Sequence, residues 1–199
     1  MTDNPKKPIH PVWLRLTHWL NAVAIVLMVM SGLRIYNASP VFDFTIPASV
    51  TLGGWLGGAL LWHFAAMWLF VLNGLLYLVL NLLTGRWKTK FLPLSPAGVW
   101  RDAVMALRGT LSHDDLRQYN MVQKLAYLSL VLAGVVVVLS GLVVWKSVQF
   151  PLLRELMTGY DNARVVHFCA MAFIVLFVAV HLLMVALVPR TFRTIVTGR

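Results

Sequence analysis

The sequence predicts an all-α integral membrane protein: a bundle of four transmembrane helices with one short amphipathic helix on its cytoplasmic side. Three observations lead there. Of 199 residues, 59% are hydrophobic and only 12% charged, where a soluble domain carries about 25% charged residues. Mean hydropathy is +0.77, and a globule of this size has too little interior to hide so much apolar surface. The apolar residues gather into four runs, each long enough for the roughly 20 residues that cross a bilayer.

Those runs place spans at about 12–36, 56–83, 122–145 and 163–188, within a single domain covering 1–199. The first is too long for the apolar core of a signal peptide and has no convincing small-residue cleavage site, so it is expected to stay as a helix. Between the first two spans, Pro40, Pro47 and Gly53-Gly54 mark a loop. The long polar connection follows the second span. Within it Ser95 reads as an N-cap and Pro96 as the first helical residue of an amphipathic helix running to about Leu107. A third loop covers 146–162, and the tail after Pro189 is short and basic.

The formal charge is +10. The cations lie between apolar runs rather than in aromatic-interleaved patches, which argues for membrane orientation and against nucleic acid. Lys6, Lys7 and Arg15, seven cations from Arg86 to Lys124, and Arg190, Arg193 and Arg199 fall on one side. Only Arg34, Lys146, Arg154 and Arg164 fall on the other. The positive-inside rule then puts both termini and the long connection in the cytoplasm.

Cys169 is the single cysteine. It excludes an internal disulfide and a thiolate-held iron–sulfur cluster, and no C-x-x-C-H motif exists to attach a haem covalently. Histidine is more informative. His10 and His113 lie in polar segments and are expected to face solvent. His18, His63, His167 and His181 lie within spans, where ionisable residues are costly and usually face a pathway or cofactor. A single one could bond a backbone carbonyl across a helix interface; four ask for a common explanation.

At ~1.5 Å rise per residue, His18 lies about 10 Å and His181 roughly 12 Å from the cytoplasmic ends of their helices. His63 and His167 lie about 10 Å and about 9 Å from the outer ends. The four thus sort into two pairs at matched depth. His167 and His181 are 14 residues apart, about 40° short of four full turns, so one helix offers both from nearly the same side, ~21 Å apart. One imidazole from each side at one depth is what the two free positions of a haem iron take. Zinc or copper would want three or four clustered ligands, and a proton relay would usually include membrane carboxylates. The reading is two bis-histidine b-type haems, an outer one on His63 and His167 and an inner one on His18 and His181.

Arg34, Arg164 and Arg15 sit near these levels and could pair with haem propionates; for Arg15 anchoring by snorkelling is an equal alternative. Two spans end alike, in Ser31-Gly32 and Ser140-Gly141. Either these pairs serve ordinary small-residue packing or they make room for a flat cofactor.

Arg15-Leu16-Thr17-His18-Trp19-Leu20-Asn21, Ser31-Gly32, Trp62-His63, Tyr119-Asn120-x-x-Gln123-Lys124, and the His167 and His181 pair together resemble the bacterial cytochrome b561 and nickel–iron hydrogenase b-type cytochrome superfamily. That group includes formate dehydrogenase gamma subunits and thiosulfate-reductase-type cytochrome b subunits. The resemblance covers all four spans, and the long cytoplasmic connection leans towards the thiosulfate-reductase branch. It implies a four-helix di-haem bundle in a bacterial inner membrane, with His63 and His167 holding the outer haem and His18 and His181 the inner one. It also implies exchange of a membrane quinone near the inner haem, with Asn120 and Gln123 as the matching polar residues. Asn120 has an alternative role as a helix cap.

The expected function is electron transfer between a periplasmic redox subunit, a molybdopterin oxidoreductase or hydrogenase by analogy, and the quinone pool. The outer loops are short and offer no catalytic cluster, so substrate chemistry falls to the partner. A stand-alone superoxide:quinone oxidoreductase is the alternative, with Arg34, Arg154 and Arg164 drawing in the anion.

Overall fold

A computed structural model describes residues 9–108, 110 and 118–198. His113, Lys6, Lys7, Arg117 and Arg199 lie outside the described residues. Four long helices occupy the expected runs: α1 (Val12–Ala38), α2 (Leu56–Leu83), α4 (Met121–Lys146) and α6 (Tyr160–Leu187), each long and apolar enough to cross a membrane. Shorter ones are α3 (Pro96–Leu107), α5 (Pro151–Leu156) and α7 (Arg190–Thr197). Ser95 caps α3 by accepting from the Gly98 N–H at 3.3 Å, with Pro96 in its first turn, as the sequence predicts.

The tail is more ordered than its composition suggests. Pro189 follows the end of α6, and α7 then runs to Gly198, whose φ of 85° supplies the left-handed stop. The Ile9 N–H donates to the Gly198 carbonyl at 2.8 Å, so the two described chain ends meet. That end of the bundle, which also carries α3, is called the terminal end below; the other is the far end.

Packing follows a repeat of small residues. Thr17, Ala24 and Ser31 on α1 are buried, as are Ala59, Ala66 and Asn73 on α2. Both sets recur every seven residues, the spacing that keeps a narrow seam facing a neighbour at a shallow left-handed crossing. Ala133 and Ser140 on α4 repeat the pattern against Ala163 and Ala170 on α6. Asn73 donates to the Thr17 carbonyl at 2.8 Å, tying α2 to α1 inside the span.

The backbones approach most closely within two pairs, α1 with α2 and α4 with α6. Side chains bridge the seam between them. The outward faces carry Leu61, Leu72, Leu132, Leu176 and Leu187, all exposed. An apolar surface of this extent is covered by lipid rather than water.

At the far end the first loop folds back over the seam. Asn37 exchanges two hydrogen bonds of 2.8 Å with the Ile46 backbone, and the Tyr36 hydroxyl donates to the Phe44 carbonyl at 3.0 Å. Phe42, Phe44, Tyr36 and Phe168 form one aromatic cluster. At the terminal end α3 docks on α4: buried Asp102 accepts from the Met121 N–H at 2.8 Å. Lys124, also buried, donates to the Leu92 and Pro93 carbonyls at 3.3 and 3.4 Å.

Candidate haem sites between the helix pairs

The four membrane histidines meet as two couples, each spanning the seam. His63 on α2 faces His167 on α6 with ring centres 6.4 Å apart. His18 on α1 faces His181 on α6 at 6.1 Å. A metal–imidazole nitrogen bond is about 2.0 Å, so two rings on opposite sides of one metal have centres roughly 6 Å apart. Both couples have that spacing. Among the described residues no third His, Cys, Asp or Glu joins either one. The donor set thus suits a metal whose other positions are filled by a planar macrocycle.

At the far-end couple, the small-residue motifs act on the imidazoles themselves. His167 Nδ1 lies 2.9 Å from the Val137 carbonyl; a carbonyl can only accept, so Nδ1 carries the hydrogen. Ser140 Oγ stands 3.1 Å from the same nitrogen and donates its own hydrogen to the Val136 carbonyl at 2.7 Å. This tautomer leaves Nε2 unprotonated, the state in which imidazole binds metal. His63 repeats the arrangement. Its Nδ1 is 3.1 Å from Ser31 Oγ, which donates to the Leu27 carbonyl at 2.6 Å, and the Met28 carbonyl also bonds the ring.

The adjoining glycines clear the space. A Cβ on Gly32 would stand 3.3 Å from His63 Cε1, and one on Gly141 would stand 3.1 Å from His167 Cε1. Both are tighter than ordinary carbon contacts. The room made by each Ser-Gly pair is therefore room for an imidazole, supplied by the neighbouring helix of the same pair.

The terminal-end couple has no such support. Among the described residues neither His18 nor His181 makes a hydrogen bond through its ring. Aromatic neighbours set their orientation instead: Phe177 lies parallel to His181 at 6.1 Å, and Trp19 meets His18 edge-on at 5.5 Å.

The predicted cations behave unequally. Arg164 donates to Ser39 Oγ at 3.0 Å and to the Ser39 carbonyl, and lies 3.8 Å from Asp161; it links α6 to the end of α1. Arg34 is half-buried and has no ion pair among the described residues. Asn120 and Gln123 form a capping box at the start of α4. The Gln123 N–H donates to Asn120 Oδ1 at 2.8 Å and the Asn120 N–H to Gln123 Oε1 at 3.1 Å. Both amide oxygens are engaged in the cap, which leaves the NH2 groups.

His10 does not face solvent as expected. It is half-buried, and its Nδ1 is enclosed without a partner among the described residues. The reason is tertiary: the tail folds back so that Gly198 packs against the His10 carbonyl and Arg15. Burial, and then the charges of Arg86, Lys90, His18 and Arg15, lower His10 to about 4, so it is neutral at pH 7. Sequence reasoning also missed Arg86, whose guanidinium lies 5.9 Å from the Trp13 ring centre.

Four long apolar helices with histidines facing each other in two couples across the seam define a multi-helix membrane bundle with imidazoles in its interior. The comparisons with known proteins say which one: the family model for prokaryotic cytochrome b561 matches residues 9–198, and the chain belongs to that family. Membership carries b-type haem binding and membrane electron transport. The chain is also 60% identical over 190 residues, 96% of each protein, to YedZ1 of Azospira oryzae, designated a protein-methionine-sulfoxide reductase subunit. No solved structure matches it.

Proposed function

We propose that this chain is a di-haem cytochrome b subunit that passes electrons between the membrane quinone pool and a periplasmic redox partner. The observation that carries the reading is the stacking of two histidine couples along one seam, one towards each end of the bundle. His63 and His167 would hold the outer haem, His18 and His181 the inner one. Bound there, the iron porphyrins supply one-electron carriers at two depths; the protein sets their position and surroundings. The ~21 Å of α6 between His167 and His181 sets the spacing of the two levels.

Serine and backbone oxygens keep Nδ1 protonated on His63 and His167, so each presents a basic Nε2 to the seam. The cluster of Tyr36, Phe42, Phe44 and Phe168 closes the far end with apolar rings and limits water there. At the terminal end, which this reading puts in the cytoplasm, Asn120 and Gln123 would offer their NH2 groups to the oxygens of a bound quinone. Arg34 and Arg164 stand at the outer level as candidate propionate partners, Arg164 in addition to its bonds to Ser39.

The relative's name bears on the partner. If this chain serves a reductase as that subunit does, electrons run outward from quinol to a periplasmic enzyme that reduces oxidised methionine in proteins. The test uses the purified full-length protein in detergent. A reduced-minus-oxidised spectrum should show b-type haem, and a quinol should reduce both haems on mixing. Haem that is inert to quinols would overturn the quinone part, and fast reduction by superoxide would favour a stand-alone enzyme.

A further inference from the structure

Among the described residues, three buried side-chain nitrogens at the terminal end lack a hydrogen-bond partner: His10 Nδ1, Arg15 Nε and Arg86 Nε. They come from the segment before α1, from α1, and from the turn after α2, and the fold gathers them on the side of the terminal-end couple. Arg15 precedes His18 by three residues on α1, which puts it on the same face one turn nearer the end. His10 is close enough to Arg15, Arg86, Lys90 and His18 to feel the charge of each. The rest of both guanidiniums is already fixed: Arg15 donates to the Val196 carbonyl at 2.6 Å, while Arg86 bonds the Tyr119 side chain and lies over Trp13.

Such an arrangement is costly as it stands. A buried donor without a partner costs about 1–3 kcal/mol, and among the described residues Arg15 and Arg86 meet no carboxylate. The ion pairs found among those residues, Arg101 with Asp102 and Arg164 with Asp161, lie elsewhere. An anion would satisfy all three nitrogens together, and arginine forks match a carboxylate in particular.

We infer that His10, Arg15 and Arg86 form a cradle for the carboxylates of the group held by His18 and His181. This rests on the haem reading above, in which that group is an iron porphyrin with two propionates. A lipid phosphate shares the anionic chemistry but would be met at the exposed surface. The orphan nitrogens are instead enclosed, and Arg15 stands about 4.5 Å along the axis from the proposed ligand.

The test uses the haem-loaded full-length protein in nanodiscs, with Arg15→Gln, Arg86→Gln and His10→Ala beside Arg15→Lys and Arg86→Lys. Resonance Raman spectra report the propionate bending band, and a potentiometric titration reports each haem separately. Removing one arginine charge should make the inner haem about tenfold harder to reduce, ~59 mV for one electron, and should move its propionate band. The outer haem should not respond. The lysine variants should hold the potential and still move the band, because they keep the charge and lose the fork. If Arg86→Gln loses only its inner haem, the inference stands on Arg86→Lys.

Two haems with unaltered inner potential and unaltered band in the glutamine variants would overturn the cradle while leaving the haem reading intact. Effects that vanish when anionic lipid is left out of the nanodisc would overturn it too, by assigning the site to a headgroup. Wild-type protein without haem would instead sink the reading beneath it.

Discussion

The two histidine couples pair the same side chain and share one helix, yet their surroundings differ at every other point. At the far end each imidazole is gripped by a serine, a carbonyl and a glycine of the adjacent helix, under an aromatic cover. At the terminal end the imidazoles touch aromatic rings, and the enclosed nitrogens of His10, Arg15 and Arg86 belong to that end. Partners on Nδ1 raise ligand basicity and favour oxidised iron; neighbouring cations favour the reduced form. If both couples carry haem, the far-end haem should have the lower potential, and a bundle built from near-repeats becomes an asymmetric wire.

The sharpest way to break the comparison is to remove one member of each couple. His63→Ala or His167→Ala should lower haem content from two to one per chain and spare the inner haem; His18→Ala or His181→Ala should do the reverse. Pyridine haemochrome assay against protein concentration reads this directly, and full haem content in all four variants would void the assignment. Next in size, Gly32→Val and Gly141→Val should push the imidazole aside, because even a Cβ already stands 3.3 or 3.1 Å from the ring. Loss of the outer haem alone is expected, seen as the disappearance of one titration step.

Milder changes sharpen the contrast. Ser31→Ala and Ser140→Ala remove one of two oxygens near Nδ1 and leave the carbonyl. A neutral hydrogen bond is worth about 0.5–1.5 kcal/mol, so the outer potential should rise by roughly 20–60 mV in each variant with the inner one unmoved. Equal shifts at both haems would show that the serines act through global packing.

The smallest effect belongs to the capping box. Asn120→Asp retains the cap, since aspartate caps about as well as asparagine, but removes the NH2 group. Stopped-flow oxidation of a quinol should slow while thermal stability holds; Asn120→Ala should add a loss of about 1 kcal/mol in stability. Unchanged quinol kinetics in Asn120→Asp would assign the residue to helix capping alone.

Much of this was legible in the sequence, for physical reasons. Apolar runs with almost no charge have one stable home, and a lone imidazole in such a run has few tolerable roles. The helix bounds fell within three residues of the expected spans because polar and Pro or Gly signals flank each one. Asn120-x-x-Gln123 had the spacing of a capping box, and the structure forms it. The environment of His10 was illegible because it depends on the tail returning across the bundle, a contact between residues nearly the whole chain apart. Helix α7 was hidden by its polar composition, although Gly198 after it was a stop signal. The roles of Ser31 and Ser140 were ambiguous for another reason. A membrane serine normally bonds the carbonyl four residues back, as both do here, and nothing local reveals that its oxygen also meets a histidine on the next helix.

The most direct test is a spectroelectrochemical titration of the purified full-length protein with haem and polypeptide counted on the same sample. Two b-type haems per chain are expected, titrating as two one-electron steps with the lower step abolished by His63→Ala and the higher by His18→Ala. A single haem at saturation, or two steps that both survive either substitution, would contradict the paired-imidazole account.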